Sequence, residues 1–141
     1  TENFSLTKLI ESIIKKYDNK NISHQLIQDI HMNGRKSLIQ RCINNLIDNS
    51  IKYGNKINIQ LSSNNNILVL TIDDDGPGIP PNEYDNVFKP FYKINKSRGD
   101  SKSSVGLGLS IASDIVRSHG GNIILDKSPL DGLRVKIIFP S

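Results

Sequence analysis

Three groups of residues are of types that could handle a small, phosphate-bearing molecule. The first is Asn45, Asn49 and Lys52, which fall at i, i+4 and i+7 and so share one face of any helix that holds them. A polar helical face is most often simply solvated. Asn is nevertheless a poor helix former, and two on one face with Asn44 beside them cost helix stability for no gain in packing. Its amide oxygen is a neutral hard ligand suited to Mg²⁺, which keeps waters and takes phosphate oxygens at its other positions. Lys52, one turn on, is placed to reach a terminal phosphate. The second group is Thr71–Ile79, where the apolar run Ile67–Leu70 leads into Asp73, Asp74 and Asp75 and then Gly76-Pro77-Gly78. An acid at a strand end offers an acceptor, and the glycines let the backbone come close to a ligand. The same residues are also ordinary turn chemistry, and taken alone this stretch reads as a strand ending in a turn. The third group is Gly106-Leu107-Gly108 at the start of a helix, where free N–H groups and the helix dipole favour an anion.

The elements that must position these groups follow from hydrophobic spacing. Phe4, Leu6, Leu9, Ile10, Ile13, Ile14 and Tyr17 recur at helical intervals, with Ser5 or Thr7 as cap and an end near Asn19. Ile22–Ile30 reads as one short strand with His24 and His31 at its ends, both expected to be exposed. From Arg35 to Tyr53, Leu38, Ile39, Cys42, Ile43, Leu46, Ile47 and Ser50 form a single stripe that must pack on a sheet. Gly54 and Asn55 stop that helix. Ile57–Leu61 and Ile67–Ile72 are expected to pair as a hairpin across a polar turn, Ser62–Asn66. Pro80-Pro81 opens a short segment with a helical turn at Asn82–Asp85, followed by the aromatic run Val87–Tyr92. Ile94–Ser104 is polar, carries Lys96, Arg98 and Lys102, and is expected to be the most mobile part of the chain. A third helix runs from Leu109 to His119, stopped by Gly120-Gly121. Two final strands, Asn122–Leu125 and Leu133–Phe139, are joined by a loop. The sum is an α+β two-layer sandwich, a mixed sheet of about five strands covered on one face by three helices.

At 141 residues the chain is expected to be a single domain, 1–141, with a core of Ile, Leu and Val, since aromatics make up only 6% and Trp is absent. The net charge is +4, but no basic block accompanies it, which argues against nucleic acid as a partner. Cys42 has no internal partner for a disulfide and suits a reducing compartment. No apolar stretch approaches the roughly 20 residues needed to cross a bilayer, and no signal peptide is visible. Thr1 is not a natural start, so a fragment of a longer protein is expected.

The order of these motifs is far more specific than any one of them. Asn45-Leu-Ile-Asp-Asn-Ser-Ile-Lys-Tyr53, Asp74-Asp-Gly-Pro-Gly78, Phe88-Lys-Pro-Phe91 and Gly106-Leu-Gly-Leu109 resemble, in sequence order, the N, G1, F and G2 boxes of the catalytic, ATP-binding domain of bacterial sensor histidine kinases. That domain has the Bergerat (GHKL) fold shared with gyrase, heat-shock-90 and mismatch-repair ATPases. The resemblance spans essentially the whole chain, and the nearest subclass is that of the osmosensor kinase EnvZ and its relatives.

The resemblance implies that the cofactors are ATP and Mg²⁺. It places Asn49 on the metal, with Asn45 as a second or water-mediated ligand, and Lys52 and Tyr53 near the phosphates and ribose. Asp74 accepts the adenine amino hydrogen, leaving Asp73 and Asp75 structural or solvated. Gly76 and Gly78 pass the base, and Ile79, Leu109 and Ile111 wall it. Phe88 and Phe91 anchor a lid from which Arg98 swings in. Gly106, Leu107 and Gly108 give N–H groups to the phosphates. Related ATPases carry a glutamate where this chain has Asn45, and an amide cannot act as general base, so transfer to a protein acceptor is expected rather than hydrolysis. The implied partners are a separate dimerisation domain bearing the acceptor histidine and a cognate response regulator. The implied location is the cytoplasmic part of a protein anchored in the bacterial inner membrane. His24, His31 and His119 match no acceptor context and are expected to be ordinary surface residues. The family usually has Gly-Gly-Thr before Gly-Leu-Gly, whereas this chain has Ser103-Ser104-Val105, and Lys93 stands where Arg is common. Those departures bear on lid closure and transfer rate. A serine kinase of the same fold and a nucleotide-binding regulatory module without transferase activity are the alternative readings.

Overall fold

The structure is a computed structural model that describes residues 1–17, 21–26, 28–90 and 107–140. In chain order its elements are β1 (Glu2–Ser5), α1 (Leu6–Lys15), β2 (Asn21–Gln25), β3 (His31–Gly34), α2 (Lys36–Tyr53), β4 (Lys56–Asn64), β5 (Ile67–Asp74), two short 3₁₀ turns (Pro81–Glu83 and Asn86–Phe88), α3 (Leu107–Ser118), β6 (Asn122–Lys127) and β7 (Leu133–Pro140).

Five strands form one mixed sheet in the order β2-β4-β5-β7-β6. β2 runs parallel to β4 and every other pair is antiparallel. Strict alternation places Ile57, Ile59 and Leu61 of β4, Leu68, Leu70 and Ile72 of β5, and Val135, Ile137 and Phe139 of β7 on one buried face. The expected stripe of α2 covers that face: Ile39, Cys42, Ile43, Leu46, Ile47 and Ser50 are all buried. α3 packs beside α2, with Ala112, Ile115 and Val116 inward. The α+β sandwich read from the sequence is thus the observed fold, with three α-helices among the described residues and α2 laid on the sheet.

Several boundaries differ from the sequence expectation. Phe4 belongs to β1, not to the first helix, because Ser5 takes the N-cap and its Oγ accepts the Lys8 N–H at 3.0 Å. The expected strand Ile22–Ile30 is two elements. Thr7 Oγ accepts the Ile30 N–H (2.9 Å) and donates to the Gln28 carbonyl (2.7 Å), which bends the chain away from β2 and starts β3 against β1. The polar turn shrinks to Asn65-Asn66, both at positive φ (49° and 66°), so β4 runs on to Asn64. Gly54 is extended at φ −125° rather than left-handed, and a Cβ there would lie 3.0 Å from Asp75 Oδ1 and 3.1 Å from the Asp74 Cβ. Glycine at the end of α2 lets the end of β5 lie closer than a side chain would comfortably allow.

On the other face, Asp73 (1% exposed) takes two bonds from Arg134, Nε to Oδ1 at 2.7 Å and Nη2 to Oδ2 at 3.0 Å. Arg134→Ala strands a buried carboxylate, which costs far more than an exposed pair is worth. The variant is expected to lose roughly 3 kcal/mol, read as a lower urea midpoint with an unchanged slope.

Candidate functional site

The end of β5 and the end of α2 are stitched together by backbone bonds. Asp75 Oδ1 accepts the N–H groups of Asn55 (2.7 Å) and Lys56 (2.9 Å), and those two donors hold its carboxyl below the usual range. The Asp75 N–H returns a bond to the Lys56 carbonyl at 3.2 Å. Gly76 lies against the last turn of α2, where a Cβ would stand 2.5 Å from the Tyr53 carbonyl oxygen. That contact holds the strand-end acids in fixed register with the Asn-bearing helix.

Asp74 is the buried acid of the three that points to the helical side. Its side chain shares the face of Ile72 and is 4% exposed. Oδ1 accepts the N–H of Gly76 (2.9 Å) and of Leu133 (3.1 Å), while Oδ2 has no bonding partner among the described residues. Burial raises the carboxyl above its ordinary value. The two N–H donors oppose that rise, and the nearby Asp75 and Asp73 add to it. A desolvated acceptor with one oxygen committed and one free is suited to a ligand N–H.

Asn45 and Asn49 lie along the edge of the buried stripe of α2, both half-buried, and neither side chain bonds to another described residue. Lys52 is exposed, its Nζ 5.3 Å from the centre of the Tyr53 ring. The Tyr53 hydroxyl is buried with no hydrogen-bond partner among the described residues, an orphan that a ligand oxygen would satisfy. Ile79 and Phe88 are half-buried against the core, and Leu109 is buried. Ile111, expected in the apolar wall, is 36% exposed. Leu107 and Gly108 begin α3. Phe91, Arg98, Gly106 and the segment 94–104 lie outside the described residues, as do Ser103-Ser104-Val105. Among the described residues no group of three or more His, Cys, Asp and Glu is gathered to hold a metal.

Sequence reasoning missed the loop between β6 and β7. The Gly132 N–H donates to the Asp74 carbonyl at 3.1 Å and the Leu133 N–H to its carboxylate. Asp131-Gly132 looked like any turn, and no local signal points to an acid 59 residues earlier. His119 also departs from expectation. Its Nδ1–H donates to the Ile115 carbonyl (2.8 Å), its Nε2 accepts the Arg35 N–H (3.0 Å), and its ring meets Phe139 edge-on at 6.2 Å. It ties the end of α3 to the start of α2 rather than lying loose on the surface.

A buried acid at a strand end, an amide-bearing helix fixed beside it and α3 packed against that helix make up the candidate site of this α+β sandwich. Residues 34–141 match the family described as histidine kinase-, DNA gyrase B- and HSP90-like ATPases, and the chain belongs to that family. Among curated proteins it is similar to the sensor histidine kinase GtrS of Pseudomonas aeruginosa, 38% identical over 107 residues. It is also similar to the sensor histidine kinase CpxA of Escherichia coli, 32% identical over 108 residues. These alignments take in 76% of this chain but only 22% and 24% of those proteins, so the chain spans about a quarter of their length. Among solved structures, the mycobacterial sensor histidine kinase MprB overlays with a TM-score of 0.82 at 26% identity, covering 99% of this chain and 97% of that one. The histidine kinase domain of the E. coli osmosensor EnvZ overlays at 0.75 and 28% identity, covering 99% and 88%. No helix among the described residues is long and apolar enough to cross a membrane.

Proposed function

We propose that this domain binds Mg-ATP and passes the γ-phosphate to a histidine on a separate dimerisation domain, as the first step of a two-component relay to a response regulator. The observation that carries the reading is Asp74, a buried carboxylate with one oxygen taken by backbone and the other open. An open carboxylate oxygen accepts the amino group of adenine and repels the carbonyl that guanine presents there. Asn49, with Asn45 one turn earlier, would hold Mg²⁺, and Lys52 would meet the terminal phosphate. The unbonded amides and the orphaned Tyr53 hydroxyl fit such a ligand. When bound, the metal neutralises charge on the phosphates and orients them for in-line transfer. Asn45 has no basic group with which to activate water, so the residues favour transfer over hydrolysis. Gly106 and Gly108 complete the phosphate end in this reading, Phe88 and Phe91 anchor the lid, and Arg98 approaches from it. Such a domain works on the cytoplasmic side of a membrane-anchored sensor.

Calorimetry with Mg-ATP and Mg-GTP tests the base reading, and equal affinities would sink it. Mixing the domain with a purified dimerisation domain and γ-labelled ATP tests the transfer. The expected product is an acid-labile label on the partner and none on this chain. An acid-stable label would point instead to a serine kinase, and tight ATP binding without any label to a regulatory module.

A further inference from the structure

We propose that Gly132 is a positioning residue for base recognition. Together with the Leu133 amide it dictates which oxygen of Asp74 is presented to the nucleotide. The inference rests on the reading of Asp74 as the adenine acceptor and concerns how that acid is aimed.

The loop from Ser128 to Gly132 is closed on itself. The Asp131 N–H donates to the Ser128 carbonyl, the Ser128 N–H to the Gly132 carbonyl, and the Leu130 N–H to Ser128 Oγ, each at 2.9 Å. Ser128 is buried, and Asp131 sits at φ +79°, a turn conformation that Asp tolerates better than most non-glycine residues. The loop is therefore held in one shape, and that shape delivers Gly132 onto the end of β5. A Cβ at residue 132 would overlap both Asp74 Oδ1 and the Asp74 carbonyl oxygen, and would stand 2.6 Å from the Gly76 nitrogen. None of these is the flexible end of a surface side chain, so nothing nearby can yield. From the other side, Gly78 at φ +72° faces the Gly132 carbonyl, to which its own Cβ would be 3.4 Å. The loop thus lies between Asp74 and the Gly76-Pro77-Gly78 turn.

This close approach has a chemical consequence. Two N–H groups, one from each side, converge on Oδ1 and fix the carboxylate rotamer. Oδ2 is then the oxygen left to accept from a ligand. If the loop stood one methyl further off, the Leu133 N–H would lose Oδ1, and Asp74 would turn to share its oxygens between Gly76 and water. Base reading would weaken although Asp74 itself were intact.

The experiment compares affinities for Mg-ATP and for the Mg complex of purine riboside triphosphate, which lacks only the 6-amino group. The unaltered chain is expected to prefer ATP by about ten- to a hundred-fold. In Gly132→Ala, shown to be folded by a cooperative thermal transition, that preference is expected to fall to within about three-fold, while affinity for the analogue changes little. A role confined to folding would weaken both nucleotides alike and leave their ratio unchanged, and that outcome overturns the proposal. Equal affinities in the unaltered chain would sink the reading of Asp74 and this proposal with it. Should Gly132→Ala fail to fold, a backbone ester at residue 133 removes the N–H that reaches Oδ1, weakens the Gly132 carbonyl as an acceptor for the Ser128 N–H and leaves every side chain in place. The ester protein is expected to lose about ten-fold in ATP preference, and an unchanged preference overturns the proposal.

Discussion

Asp74→Asn is expected to melt a few degrees higher than the unaltered domain and to bind ATP about a hundred-fold more weakly or worse. The two effects share one cause. Asp74 is 4% exposed, and burial drives its carboxyl above the ordinary value of 3.8 despite two backbone donors. The folded state therefore disfavours the charge that neutral pH imposes. An amide of the same shape keeps an oxygen for the Gly76 and Leu133 N–H groups and removes the charge, for a gain on the order of 1 kcal/mol, or about 3–5 °C for a domain of this size. The pH dependence fixes the sign. A carboxyl whose folded pKa is raised binds more protons folded than unfolded, so its contribution is most favourable below 3.8 and is lost as pH rises through the raised value. The variant's advantage is thus absent in acid, grows across the carboxylate range and levels off above it. Equal melting of the two proteins at neutral pH would contradict the account. Binding fails for a complementary reason. In the proposed reading the site needs two acceptors, one for backbone and one for the base, and a primary amide has one. In either orientation of the amide, an NH₂ faces a donor.

What could be read from the sequence depended on how far each determinant lies from its partner. The α2 stripe is legible because seven apolar or small residues from Leu38 to Ser50 obey one period, and the same period sets Asn45 and Asn49 along one edge of that stripe. The β4–β5 hairpin was legible for the same local reason. β3 was not, since four residues, His31–Gly34, carry too little pattern, and its start is set by Thr7 reaching across from α1. Gly54 looked like an ordinary helix stop because its reason for being glycine is Asp75, 21 positions on. His119 reads as a surface residue in the sequence because both its ring bonds, and its edge contact with Phe139, arise only when α3, α2 and β7 are packed. In the site, the strand-end acid could be found by its neighbours in sequence. The half of its environment made by Gly132 and Leu133 could not.

Asn49→Ala is expected to abolish detectable phosphoryl transfer to an added dimerisation domain, a fall of about a thousand-fold or more, while the domain itself becomes slightly more stable. Asn49 lies inside α2, half-buried, with no bond from its side chain to another described residue. Ala is a better helix former by roughly half a kcal/mol, and the side chain removed is one that no described neighbour needs. A purely structural residue would give the opposite sign. Transfer fails because the enzyme contributes mainly position and charge neutralisation to this reaction, and with Asn49 gone only Asn45 on that face offers an amide oxygen for the metal. Nucleotide affinity should fall less than rate, because the base end of the site at Asp74 lies on β5, apart from the helical face that changes. The measurement pairs a Mg²⁺ titration of the transfer rate with a thermal melt. A variant that labels the acceptor at full rate would remove Asn49 from the metal. One that loses both transfer and several degrees of melting temperature would make it a packing residue instead. Asn45→Ala, one turn earlier on the same face, should repeat the pattern with a smaller loss of rate if it acts through a water, and an equal loss would place both amides on the ion.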